Sequence, residues 1–166
     1  MGAVTADERA RARAILDLQE GRGPVPVLDD AGIARLLGSA RRIAVVGASS
    51  KPFRPSFGVL EDLVRRGYDC VPVNPEETEV QGLTAYPSVV AATEATGRFD
   101  IVDVFRRSEL CVPHARDAVA AGAGCLWLQL GVVSWEAAAI AHEAGLSVVM
   151  DRCTAIEVAR LRRRRA

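Results

Sequence analysis

The sequence predicts an α/β domain of the Rossmann-like, doubly wound kind, with about five parallel strands and helices on both faces of the sheet. Two observations lead to this fold class. Short apolar runs, each long enough for one strand buried on both faces, recur along the chain. Segments with helix-capping and helix-ending signals lie between them. Strands that alternate with helices in this way form right-handed β-α-β units and a parallel sheet.

The N-terminal part, residues 1–39, is predicted to be a helical extension of this domain. Residues 5–8 have the spacing of a capping box, which indicates that a helix begins there. Asp29 or Asp30 then caps a short second helix, which Gly38 is expected to end.

The Rossmann-like domain itself is assigned to residues 40–156. Its strands are predicted at 43–46, 69–73, 101–105, 125–130 and 146–150. Its helices are predicted at 56–66, 113–120 and 134–144, and a last helix runs into the arginine-rich end at 157–166. That basic end is either a solvated helix terminus, which the helix dipole favours, or a contact for RNA or an acidic partner.

Charge and cysteine usage exclude several classes of protein. Lys and Arg number 21 and Asp and Glu number 21, so no overall field attracts nucleic acid or a membrane. The 4 cysteines are scattered, without the spacing of a zinc site. No secretory leader is recognisable at the start. We therefore expect a soluble cytoplasmic protein with reduced thiols and no metal.

The loop after the first strand is the strongest candidate site, because ligands of such sheets bind beyond the carboxyl ends of the strands. Gly47 lets backbone N–H groups approach a phosphate. Ser49 and Ser50 add hydroxyl donors, and Lys51 and Arg54 add positive charge. This combination indicates a ligand with several phosphates.

Two alternatives remain open from the residues alone. One is a solvated turn with no ligand. The other is a nicotinamide dinucleotide site in an oxidoreductase, although Gly47 is the only glycine of the G-x-G-x-x-G fingerprint, with Ser49 and Pro52 in the other places. At the end of the second strand, Asn74 and Pro75 replace the acidic residue that would bind the ribose of NAD. Glu76 and Glu77 follow, but they lie beyond Pro75 and not at the end of the strand.

Five motifs resemble those of the stand-alone CoA-binding proteins of bacteria, which are similar to the CoA-binding domain of the succinyl-CoA synthetase alpha subunit. The motifs are AVVGAS at 44–49, VPVNP at 71–75, VDVFRR at 102–107, WLQLG at 127–131 and MDRC at 150–153. They occur in this order over about 40–156, so the resemblance covers the whole predicted domain.

The resemblance implies a Rossmann-like site for coenzyme A. The first loop would hold the phosphates, the end of the second strand would line the adenosine, and the ends of the third and fourth strands would form a wall and a floor near the pantetheine. The predicted cofactor-binding residues are Gly47, Ala48, Ser49, Ser50, Lys51, Arg54, Val73, Asn74, Pro75, Phe105, Arg106, Arg107, Gln129 and Gly131.

The expected role is binding of coenzyme A or an acyl-CoA, without catalysis or in regulation. The synthetase's phosphohistidine domain has no counterpart here, and His114 and His142 fall within predicted helices without partners. No catalytic residue is predicted. A homodimer, or a partner subunit that completes an acyl-CoA enzyme in trans, is the further expectation.

Five other residues carry expectations about their role. Asp103 lies in an apolar strand, so we expect an ion pair or loop anchor there, with a general base as the alternative. One of Arg106 and Arg107 is expected to bind phosphate, and the other to pair with Asp103 or a nearby carboxylate. Cys153 is either inert or able to form a mixed disulfide with the thiol of coenzyme A. Trp127 is expected in the core.

Overall fold

Five parallel strands form the central sheet of the computed structural model, which describes residues 2–166. In chain order, the strands are β1 (Arg42–Val46), β2 (Asp69–Val73), β3 (Glu79–Val80), β4 (Leu83–Thr84), β5 (Ile101–Val104), β6 (Cys125–Leu128) and β7 (Ser147–Val149). The sheet order is β2-β1-β5-β6-β7, and β3 and β4 form a separate antiparallel hairpin. The predicted fold class is confirmed.

Helices flank the sheet and connect its strands. They are α1 (Ala6–Gln19), α2 (Asp30–Ser39), α3 (Pro55–Arg65), α4 (Val89–Thr96), α5 (Cys111–Ala120), α6 (Trp135–Glu143) and α7 (Thr154–Arg165), with a 3-10 turn at Ser108–Leu110. The predicted capping box at the start of α1 is present. The expectation that Gly38 ends α2 is wrong, because the chain leaves this helix only at Ala40, whose extended backbone leads into β1.

The two faces of the sheet bury separate cores, as a doubly wound domain requires. Ala44 and Val46 of β1 belong to the core on one face, which α4, α5 and α6 cover. Ile43 and Val45 belong to the core on the other face, which α2, α3 and α7 cover. Trp127 has no exposed surface and lies in this second core, so its predicted place is confirmed.

A single residue outside the named strands extends the sheet beyond β2. The amide of Tyr86 donates to the carbonyl of Pro72 at 3.0 Å, and the amide of Asn74 donates to the carbonyl of Tyr86 at 2.9 Å. This bridge is parallel. If this bridge is counted as a sixth strand beside β2, the order of the strands in the sheet is that of the dinucleotide-binding fold. The sequence did not predict this segment, the β3–β4 hairpin or α4, because pieces so short carry too few residues for a periodic pattern.

Three predicted strands end earlier than expected, at Val104, Leu128 and Val149. The apolar pattern continues past these ends, but only the amides of Phe105 and Gln129 still donate to neighbouring strands, at 2.8 and 3.3 Å. The following residues are therefore free to form loops at the carboxyl edge. Within residues 2–166, no helix is both long and apolar enough to cross a bilayer.

Candidate functional site

The predicted site residues lie at one edge of the sheet, where the loops that follow its strands meet. β1 and β5 are neighbours, and their chains continue to helices on opposite faces, into α3 and α5. The crevice between them is the switch point at which such folds bind ligands. The loops at this edge are 47–54, 74–77, 105–107, 129–131 and 151–153.

Gly47 lies at the centre of this edge, and both its backbone conformation and its close neighbours disfavour a side chain at this position. Its φ is 81°, a conformation that disfavours any side chain. A Cβ at this position would lie 2.7 Å from the carbonyl oxygen of Phe105 and 3.3 Å from Cδ of Arg106. The chain leaving β1 therefore passes directly against the chain leaving β5, and the Arg106 side chain lies over the glycine.

The loop between Gly47 and α3 is ordered by its own backbone. The Ser49 hydroxyl accepts from the amide of Lys51 at 3.1 Å, and the Lys51 carbonyl accepts from the amide of Arg54 at 3.0 Å. α3 begins after Arg54, and no side-chain hydrogen bond caps its positive end in the described part of the chain. In its first turn, Ser56 is 1% exposed and its hydroxyl has no partner among the described residues.

Three cations at this edge have no carboxylate partner in the described part of the chain. Lys51, Arg54 and Arg106 are all exposed, and none forms a salt bridge. Arg107 differs, because its Nε lies 3.7 Å from Oε1 of Glu109 in an exposed pair. Such a pair is weak. One of these two arginines was expected to bind phosphate and the other to pair with a carboxylate. Arg107 is the one that pairs, and Arg106 has no carboxylate partner among the described residues.

The end of β2 folds back onto the first loop, which the sequence did not suggest. Asn74 donates to the carbonyl of Ala48 at 2.8 Å and accepts from the amide of Glu76 at 2.8 Å. This turn brings the Glu77 carboxylate to Ser50, whose amide lies 3.1 and 3.2 Å from its two oxygens and whose hydroxyl also donates to it. An acidic group therefore does reach this edge, from beyond the proline. The signal was an Asn-Pro turn, which reverses the chain.

Asp103 lies beneath the edge, fully buried, and its environment is polar but not ionic. Its carboxylate accepts from Nε2 of Gln129 at 2.7 Å and from Oγ1 of Thr154 at 2.8 Å. Burial raises the pKa of Asp103 to about 7, while the two hydrogen bonds act in the opposite direction. The expected ion pair with an arginine is not formed. Of the structural roles foreseen, that of a loop anchor is the one observed.

Gln129 and Gly131 have different surroundings, although both were predicted to line the floor. Gln129 is 6% exposed and its amide is bound to Asp103. Gly131 is exposed, with a φ of 81°, and its amide donates to Oδ1 of Asp151 at 2.7 Å. Asp151 itself has a φ of 57°, rare for a residue with a side chain. The loops after β6 and β7 are thus held together.

Cys153 is the cysteine nearest to this edge, at the residue before α7. It is half-buried, whereas Cys70, Cys111 and Cys125 are buried. Burial raises the pKa of Cys70 to about 12 and that of Cys111 to about 11, so these thiols stay protonated. Both histidines lie in helices, as predicted: His114 in α5, where burial lowers its pKa, and His142 in the last turn of α6.

The basic end belongs to α7, which runs through Arg165. Part of it is bound to the protein itself. Arg160 pairs with Glu157 at 2.9 Å, and Arg162 donates to the carbonyl of Arg66 at the end of α3.

Comparisons with known proteins identify the family and the fold of this chain. The profile of the family described as CoA binding domain matches residues 41–159. The uncharacterized protein YneT of Bacillus subtilis is 40% identical over 123 residues, which span 74% of this chain and 89% of YneT. A hypothetical protein from Pyrococcus horikoshii has a solved structure with a TM-score of 0.76 and 38% identity, covering 81% of this chain and 92% of that one.

A longer enzyme contains a similar unit. The apo structure of the dinucleotide-forming acetyl-coenzyme A synthetase 1 of Ca. Korarchaeum cryptofilum matches with a TM-score of 0.59 and 26% identity. The match covers 70% of this chain but 27% of the synthetase. With the family profile spanning most of its length, this chain belongs to the CoA binding domain family.

Proposed function

We propose that the protein binds coenzyme A or an acyl-CoA, with its diphosphate on the loop between Gly47 and α3. The observation that carries the proposal is the presence of three unpaired cations, Lys51, Arg54 and Arg106, around a glycine and an uncapped helix start. Cations left without carboxylate partners are available to phosphate oxygens, and a guanidinium matches them in shape.

The neighbouring loops supply surfaces suited to the rest of the ligand. Val73, Asn74 and Pro75 at the end of β2 would contact the adenosine, as the first loop holds the phosphates. Phe53 and Leu130 are exposed by 77% and 65% at this edge. Exposed apolar side chains beside a polar loop suit a pantetheine arm or an acyl chain. No nucleophile with an adjacent base accompanies them in the described residues, so we propose binding, in a regulatory or carrier role, rather than catalysis.

Isothermal titration calorimetry with coenzyme A, ADP and NAD tests the proposal. We expect coenzyme A to bind, ADP to bind more weakly because it lacks the pantetheine arm, and NAD to bind weakly or not at all. Removing both loop charges, by Lys51→Ala with Arg54→Ala, should weaken coenzyme A binding by about a hundredfold or more, since each of the two charged phosphate contacts contributes about 1.5 kcal/mol or more.

A matched control removes two charges elsewhere. Arg163 and Arg164 are exposed and lie in the last turn of α7, at the end away from the sheet edge that binds the ligand. Arg163→Ala with Arg164→Ala should leave the affinity almost unchanged. Binding of NAD alone, or equal affinity for coenzyme A in both double variants, would contradict the proposal.

The protein acts either alone or as a subunit of a larger acyl-CoA enzyme, and the similar unit within a long synthetase chain supports the second possibility. Size-exclusion chromatography with light scattering, on the protein purified under gentle conditions, separates the two. A monomer or homodimer mass supports action alone, and a larger complex with a second defined chain supports action in trans.

A further inference from the structure

Glu77 is an acidic residue held in the middle of an otherwise cationic site. Its carboxylate accepts from the amide and hydroxyl of Ser50 in the first loop, and from Nδ2 of Asn74 at 3.3 Å. Among the described residues, no lysine, arginine or histidine forms a salt bridge with it. The negative charge is therefore fixed in place by hydrogen bonds alone and is not neutralised by a neighbouring cation.

The position of this charge determines which part of a nucleotide would meet it. Ser50 follows β1 and Asn74 follows β2, so the carboxylate bridges the ends of these neighbouring strands. In a doubly wound domain the phosphates of a nucleotide lie on the loop after the first strand, and its ribose lies at the end of the second strand. Glu77 stands between these two places, where the substituents of the adenosine ribose would lie.

We propose that Glu77 sets the selectivity of this site for the substituents of the adenosine ribose. The inference rests on the function proposed above. A carboxylate only accepts hydrogen bonds, so it suits the free hydroxyl groups of a ribose. A phosphate monoester on the same ribose carries a charge of about −1.5 to −2 at neutral pH, so it is repelled. Glu77 thus favours adenosine ligands with free ribose hydroxyls over those with a ribose phosphate.

Coenzyme A carries such a ribose phosphate, whereas 3′-dephospho-coenzyme A has free hydroxyls and is otherwise identical. For coenzyme A to bind with its ribose phosphate at this place, Glu77 has to leave Ser50, or Lys51 has to approach and offset its charge. Either event lowers the affinity for coenzyme A relative to the dephosphorylated ligand. The ratio of the two affinities therefore reports on Glu77 and cancels contributions from the shared diphosphate and pantetheine.

The test measures the dissociation constants of both ligands for the full chain and two variants. Glu77→Gln keeps the length of the side chain and one acceptor oxygen for Ser50, removes the charge, and replaces the other oxygen by an NH2 group. Glu76→Gln is the matched control, because Glu76 is exposed in the same turn and its side chain makes no hydrogen bond or salt bridge to the described residues. We expect Glu77→Gln to shift the ratio toward coenzyme A by about tenfold, and Glu76→Gln to shift it by about twofold or less.

Glu77→Ala should shift the ratio in the same direction, which guards against an effect peculiar to glutamine. Thermal unfolding followed by circular dichroism shows whether each variant is folded. Equal ratios in the unmodified protein and both Glu77 variants, with both ligands bound, overturn the role of Glu77 and leave the proposed function standing. If neither ligand binds any of the proteins, both proposals are overturned.

Discussion

The side-chain amide of Gln129 donates a hydrogen bond of 2.7 Å to the carboxylate of Asp103, which has no exposed surface. Thr154 completes the network, since its hydroxyl donates to the other carboxylate oxygen at 2.8 Å and accepts from Gln129 at 2.9 Å. The three residues belong to β5, the loop after β6 and the first turn of α7. A single buried carboxylate thus joins three elements directly beneath the candidate site.

This carboxylate gives the protein a characteristic dependence of stability on pH. Burial raises the pKa of Asp103 from 3.8 to about 7. Between these values the folded protein binds a proton that the unfolded chain has lost, so the stability contributed by this group is complete below about pH 4 and declines as the pH rises to about 7. Asp103→Asn keeps an acceptor for Gln129 and does not titrate. The difference in free energy of unfolding between the two proteins should therefore change by a few kcal/mol over this interval.

Urea unfolding at several pH values between about 4 and 8 measures this difference. Other titrating groups contribute equally to both proteins and cancel. A difference that stays constant over the whole range would show that Asp103 does not change its charge there.

The close approach at Gly47 predicts a large loss of stability for Gly47→Ala. The substitution forces a side chain into a φ of 81° and places its Cβ 2.7 Å from the carbonyl oxygen of Phe105. The positive φ alone lowers the free energy of unfolding by about 1–2 kcal/mol. The contact with Phe105 lowers it further, because β1 and β5 have to move apart. Gly67 is the matched control, because its φ is 95° but, apart from its own residue and its two chain neighbours, no described residue lies within 4 Å of the added Cβ. Gly67→Ala should cost about 1–2 kcal/mol.

Chemical unfolding of both variants checks this prediction, and only the excess of the Gly47 variant over the Gly67 variant measures the contact. Equal losses in the two variants would mean that the chain at Phe105 moves away at no cost.

Arg106 and Arg107 should contribute unequally to ligand binding, although they are neighbours in sequence. Arg106 lies over Gly47 and has no carboxylate partner among the described residues, whereas Arg107 is paired with Glu109. We expect Arg106→Ala to weaken coenzyme A binding by about tenfold, as the loss of a charged phosphate contact does, and Arg107→Ala by about twofold or less. Calorimetry at fixed salt compares the two, and a larger loss from Arg107→Ala would reverse this assignment.

The sequence was sufficient to predict the parallel sheet and the edge at which the candidate site residues meet. β2 was predicted with its observed bounds, and the helix after it was not, because the 74–97 segment consists of short elements held by long-range contacts. The bridge at Tyr86 depends on two hydrogen bonds with β2 and has no signature in the local pattern.

Within the candidate site, local signals predicted Gly47, Lys51 and Arg54, because their assignment depends only on residue type and on position in one loop. Glu77 was missed for the opposite reason. Its place depends on a turn initiated by Asn74, which receives one hydrogen bond from Glu76 and donates another to Ala48. Similarly, the cost of burying a charge led to two expectations for Asp103, an ion pair or a loop anchor, and the sequence could not show that neutral donors on two other elements satisfy the carboxylate. In both cases, contacts between residues that are far apart in the sequence determine the surroundings of the side chain.

The boundary predicted at residue 39 can be tested by truncation, and the structure indicates that it divides a packed unit. α1 has no buried residue, although the carbonyl of Ala14 accepts from the indole of Trp135 at 3.2 Å. α2 is different, since Ile33 and Leu37 are each 2% exposed in the core that also contains Trp127. Removal of residues 2–21 should leave a cooperatively folding protein of reduced stability. Removal of residues 2–39 should abolish cooperative unfolding, because each buried aliphatic side chain contributes roughly 1.5–3 kcal/mol.

Tryptophan fluorescence and thermal unfolding distinguish these outcomes. In the shorter deletion, loss of the cover over Trp135 should shift the emission to longer wavelength, while Trp127 stays buried and its signal changes only on unfolding. In the longer deletion, the emission of both tryptophans should resemble that of the unfolded chain. If the protein without residues 2–39 melts cooperatively near the midpoint of the full chain, α2 is dispensable and the domain begins at β1. If it does not, the folding unit begins with α2, because its buried leucine and isoleucine side chains complete one of the two cores.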